Sequence, residues 1–191
     1  MMKTFILGCL LATPAAAAVP RIVPTHDVTV TYSVRPRDHK PLEVRVSIEA
    51  GGGRLRIVAE NLPTAFLVDR NAHVATILLP MLKMFTTVPM GHDDPEEILA
   101  GARFERFGRE SVAGRSCVDW TAESERGRAS ACITEDGVIL RGRAENHHGE
   151  IGSVLASTVQ YGKLPPALFD RPAGFSDAGP LPIGKLTGMA E

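Results

Sequence analysis

The chain has 191 residues, with 21 Lys+Arg against 22 Asp+Glu and a formal net charge of −1. That length favours one domain over two. The charge balance lacks the basic stripe with interleaved aromatics that a nucleic-acid surface needs. Past the first residues, no apolar run is long enough to cross a bilayer as a helix.

The first residues read as a targeting device. Lys3 supplies a positive start, Phe5 to Ala12 is a short apolar run, Pro14 breaks it, and Ala15 to Ala18 offers small residues for cleavage. Residues 1–18 are therefore expected to be a signal peptide, cut after Ala18 or, nearly as well, after Ala17. Ile6-Leu7-Gly8-Cys9 loosely matches a lipoprotein site, but the apolar stretch ahead of Cys9 is too short for a usual leader. The expected location is periplasmic or secreted, and no integral membrane segment is expected.

Period-two alternation then dominates, the mark of strands with one apolar face. Val28, Val30, Tyr32 and Val34 alternate with polar residues, and Pro36 to Pro41 turns the chain. Leu42, Val44, Val46 and Ile48 repeat the pattern, Gly51-Gly52-Gly53 turns again, and Leu55, Ile57 and Ala59 follow. Ala65–Val68, His73–Leu79 and Lys83–Val88 are further strand candidates, punctuated by Asp69-Arg70-Asn71, Pro80 and Pro89. One helix start stands out. Asp93 or Asp94 can cap it, Pro95 suits the first helical position, and Glu96 and Glu97 favour the helix dipole. Its Ile98, Leu99 and Ala102 are expected to face the sheet.

Strands resume at Phe104–Val112, Ser116–Glu123, Arg128–Thr134, Val138–Ala144 and Ile151–Tyr161, with Asp136-Gly137 a strong hairpin signal. Leu164–Phe169 reads as a turn or a single helical turn, and Pro172–Phe175 as packing back. Residues 19–178 are expected to form one β-rich domain, with 179–191 a loose tail. The fold class is mainly β, with minor α: an antiparallel sheet that buries one face and needs something to lie on it.

Cys117 and Cys132 remain once residues 1–18 are removed. An even pair in an oxidising compartment reads as one disulfide. They fall on two strands joined by a short turn, which brings them close across a hairpin. A redox or metal pair is the weaker alternative, because the C-x-x-C spacing is absent.

The stretch Glu110-Ser111-Val112-Ala113-Gly114-Arg115-Ser116-Cys117-Val118-Asp119-Trp120, with Cys132-Ile133-Thr134-Glu135-Asp136-Gly137-Val138, Tyr161-Gly162 and Leu168-Phe169-Asp170-Arg171-Pro172-Ala173-Gly174-Phe175, resembles a family of uncharacterised exported bacterial proteins. That family is similar in plan to the LolA/LolB-like half-barrels that carry lipoproteins. The likeness spans about residues 27–176. It implies a curved, unclosed antiparallel sheet with one or two short helices on its concave face. It also implies lipid or other apolar cargo.

Candidate chemistry is thin. The six histidines include the adjacent pair His147-His148 but no zinc-motif spacing, so no metal and no cofactor are expected. Asp93-Asp94 and Glu96-Glu97 are explained by the helix start, and no nucleophile motif occurs, so the chain is not expected to be an enzyme. The apolar cluster from Ile77 to Met90 has two readings. It is either core, or an adaptable surface for apolar ligands with Met81, Met84, Phe85, Ile98 and Leu99 near its mouth. The two functional expectations are a module for a lipid or other apolar small molecule, and a structural or partner-binding envelope protein.

Overall fold

The structure, a computed structural model, describes residues 19–37, 39–60, 62–90, 101–125, 127–146 and 149–179. The expected signal peptide, residues 93–100 of the expected helix, His147-His148 and the tail from residue 180 lie outside the described residues.

Alternation yields strands throughout. They are β1 (Val28–Pro36), β2 (Leu42–Ile48), β3 (Arg54–Ala59), β4 (Ala65–Asp69), β5 (Val74–Leu79), β6 (Met84–Pro89), β7 (Arg103–Val112), β8 (Arg115–Ser124), β9 (Gly127–Ile133), β10 (Ile139–Asn146), β11 (Gly149–Tyr161) and β12 (Ser176–Asp177). All twelve lie in one open, curved sheet in the order β12-β6-β5-β4-β3-β2-β1-β11-β10-β9-β8-β7. Neighbours along the chain pair as antiparallel meanders, and the long β11 returns to β1 to join the two halves. The closing contact, β12 on β6, is parallel and two residues long, with Ser176 opposite Met84.

Directly paired side chains share a face. Val30 pairs with Val46, and Val46 with Ile57, so the apolar sets of β1, β2 and β3 share one face, the inner one. Thr29, Ser47 and Arg56 form the outer face. Each half of the sheet buries a different face. The larger core lies at the join, where Val28, Val30, Tyr32, Val138, Leu140, Ala156 and Val159 form a cluster that runs on to the two cysteines. The outer face of β4–β6 carries a second core of Ala65, Leu67, Leu78 and Phe85, covered by Phe175.

The segment after β11 makes that outer cover. A short 3₁₀ turn at Pro166–Phe169 buries Phe169, whose ring lies 5.2 Å below the Arg54 guanidinium. Arg56 Nη1 donates to the Leu168 carbonyl at 3.3 Å. Since Arg54 and Arg56 are outer residues, this turn lies against the outer face. Arg171 lies 4.6 Å over Phe85 and continues the cover.

The residues before β1 cross the inner face as a strap. The Thr25 amide donates to the Asp136 carbonyl at 3.0 Å on one side, and the Gly51 amide donates to the Pro24 carbonyl at 2.8 Å on the other. Gly137, at φ 100°, packs against the Val23 carbonyl so closely that no side chain fits there. Asp27 ends the strap, its two carboxylate oxygens accepting the Ala50 and Leu164 amides at 2.8 Å each.

An apolar trough on the inner face

Register brings together residues far apart in the chain. Val34, Val154, Gly142, Ala131 and Trp120 are successive partners across β1, β11, β10, β9 and β8. Two residues along each strand lies a second row: Pro36, Gly152, Ala144, Ala129 and Ala122, ending on Phe104 of β7. Both rows lie on the inner face. Apart from Val154 their middle is made of glycine and alanine, so the sheet there has a floor with little side chain above it.

Larger residues wall this floor. Trp120 and Phe104 stand at one end, Val34 and Pro36 at the other, and Ile133, Ile139, Pro20 and Ile22 close one flank. The result is a cavity of about 470 Å³. It spans six strands, so at an inter-strand spacing of about 4.8 Å its arc is about 24 Å long. Gly142 adds to its depth, and a Cβ there would crowd Val154 Cγ2 at 3.2 Å. Among the described residues its lining has no carboxylate, imidazole or thiol. Such a site can exclude water and bury an apolar chain.

Around the trough the polar groups serve structure. Tyr32 donates its hydroxyl to the Ile139 carbonyl at 2.8 Å, and burial raises its pKa above the ordinary tyrosine value. Asp136 accepts from Thr134 Oγ1 at 2.6 Å and from the Tyr161 hydroxyl at 3.0 Å, which ties the β9–β10 turn to the end of β11. Burial first, then the Asp136 contact, raises the Tyr161 pKa.

Cys117 and Cys132 are bonded, with Cα atoms 5.4 Å apart. Cys132 lies opposite Asp119, so Cys117 sits one diagonal step away on the β8–β9 hairpin. Glu110 and Asp119 bring ligand atoms within 4.8 Å of the Cys132 sulfur. That sulfur is consumed in the disulfide, and Arg141 occupies both carboxylates at 2.8 and 2.9 Å. The cluster is an ion-pair clamp, and the Arg141 contact lowers the Glu110 pKa.

Of the residues singled out as a ligand mouth, Met81, Met84 and Phe85 are among the described residues. Met81 lies in the 3₁₀ turn Pro80–Leu82 between β5 and β6 and is 82% exposed. Met84, paired with Leu79, is half-buried on the inner face. Phe85, one residue on, turns to the outer core. Ile98 and Leu99 lie outside the described residues. The trough instead uses residues that looked ordinary in the sequence, chiefly alanines and glycines. Only their alignment across four strands gives them meaning.

No protein-family model matches the chain, and no curated protein matches it. Solved structures do. An uncharacterized conserved protein from Thermus thermophilus superposes with a TM-score of 0.58 at 12% identity, over 82% of this chain and 91% of that one. A chain of the Pseudomonas aeruginosa MucA/MucB complex superposes with a TM-score of 0.57 at 16% identity. The fold is MucB-like. The match covers 78% of this chain but only 57% of the matched one. A LolA superfamily protein from Nitrosomonas europaea superposes with a TM-score of 0.41 at 10% identity, over 77% of this chain and 91% of that one.

Proposed function

We propose that this chain is an exported envelope protein that binds an apolar ligand, such as an acyl chain, in the inner-face trough. Export would run through residues 1–18, with cleavage after Ala17 or Ala18. The observation that carries the reading is the pair of small-residue rows walled by Trp120 and Phe104. Its volume of about 470 Å³ falls in the range of small-molecule pockets. Its arc suits an extended chain lying across the strands.

Trp120 is the only tryptophan, so its fluorescence reports on occupancy. Adding a single-chain amphiphile should shift Trp120 emission to the blue, and Ala131→Phe, which fills the floor, should abolish the shift while leaving the protein folded. Native mass spectrometry of protein purified from the periplasm should show a lipid-sized adduct. A bare mass together with unresponsive Trp120 fluorescence would overturn the proposal.

A second reading has one observation in its favour. A protein of this fold, MucB, has been solved in complex with a protein, MucA. In this reading the inner face, with Met84 on it, takes an apolar segment of a partner. Crosslinking from the Ala131 position in the envelope separates the two: a protein adduct favours the partner, a lipid adduct the first reading.

A further inference from the structure

We infer that the trough ligand is an anionic amphiphile, with its chain on the small-residue floor and its carboxylate or phosphate held by Arg21, Arg106 and Arg109. This rests on the trough being a ligand site. A recess of about 440 Å³ adjoins the trough and shares Pro20, Trp120 and Ile133 with it. The three arginines line that recess, and Glu135 is the single acid in its lining among the described residues.

A β-bulge brings two of these arginines together. Arg106 pairs with Trp120 and Arg109 with Val118, so three steps along β7 match two along β8. Without the extra residue at Phe107-Gly108, positions 106 and 109 would point to opposite faces. The bulge turns both guanidiniums toward the inner face, where Trp120 and Val118 lie. Arg21 reaches the same recess from the strap, its stem lying against Gly137.

Other arginines of the sheet sit against carboxylates. Arg54, Arg128 and Arg141 each sit 2.6–3.0 Å from a carboxylate. Among the described residues no carboxylate pairs with Arg21, Arg106 or Arg109. Three like charges around one recess repel each other, and a bound anion relieves that repulsion while accepting charge-assisted hydrogen bonds. An apolar trough opening onto such a recess fits one molecule with a greasy chain and a negative head.

The test uses the exported, delipidated chain and three probes with the same tail: dodecanoate, dodecyl phosphate and dodecanol. Binding is read from Trp120 emission at low salt. The two anions should bind about tenfold or more tighter than the alcohol. Arg21→Gln/Arg106→Gln/Arg109→Gln should erase that preference by weakening the two anions to the level of the alcohol. A tighter phosphate than carboxylate would point to a phosphorylated lipid, and the reverse to a free fatty acid. Equal binding of all three probes, or a preference that survives in the variant, overturns this inference and leaves the trough reading standing. Failure of every probe to bind overturns both.

Discussion

Removing the Cys117–Cys132 bond by Cys117→Ala/Cys132→Ala tests what holds the β8–β9 hairpin. The bond closes a loop with a sequence separation of 15. The chain-entropy relation assigns such a loop about 3 kcal/mol at 25 °C. Both cysteines are within 2% of full burial and pack in the larger core, so the variant also loses contacts there. For a chain of this size each kcal/mol moves the melting temperature by about 2–4 °C, so the variant should melt about 6–12 °C lower. The assay is thermal unfolding by circular dichroism, on oxidised wild type, reduced wild type and the variant. Reduced wild type should melt below the oxidised form and no lower than the variant, and reductant should leave the variant unchanged. A variant melting within about 2 °C of oxidised wild type would show that loop closure does not set this protein's stability.

Three further outcomes follow from the same geometry. The Tyr32 pKa is raised by burial, so its contribution is present below the ordinary tyrosine value near 10 and is lost as pH rises above it. Tyr32→Phe should flatten the alkaline fall in stability seen in pH-resolved melts; an unchanged slope would assign that fall to another group. Asp27 has its pKa lowered by the Leu164 and Ala50 amides, so its contribution is present above 3.8 and lost as pH falls through the lowered value. Asp27→Asn should therefore weaken the protein at neutral pH and reduce its further loss in acid, and an acid titration identical to wild type would count against the capping role. Gly137→Ala places a side chain against the Val23 carbonyl at a φ that disfavours it, and should cost more than about 1 kcal/mol while raising amide exchange at Thr25. Gly108→Ala, with nothing within 4 Å, is the matched control.

The strands were legible because their faces differ. Val28 to Val34 and Leu42 to Ile48 alternate cleanly, and the Gly51-Gly52-Gly53 and Asp136-Gly137 breaks mark real turns. The disulfide was legible for a related reason, since two strands and a short turn leave little choice of partner. The trough was not legible. Gly142, Ala144, Ala129, Ala131 and Ala122 carry no signal in one dimension, and only register sets them side by side. The Met-rich run drew attention by composition, yet alternation sends Met84 and Phe85 to opposite faces. The two-residue strand β12 has no period to detect, and it pairs in parallel with a strand 92 residues earlier in the register Ser176 to Met84.

The β7 bulge has a second effect, on how the sheet meets other chains. A sheet that never closes ends in two rows of unpaired backbone groups, which invite strands from other molecules. At one end β12 lies over β6 and takes up part of that row. At the other, the extra residue at Phe107-Gly108 breaks the regular spacing of β7, and Arg103, Glu105, Arg106, Arg109 and Glu110 stud the same strand with exposed charge. An incoming strand would find neither an even ladder nor an uncharged flank there. The irregularity that gathers cations around the recess thus also makes this edge a poor template for edge addition.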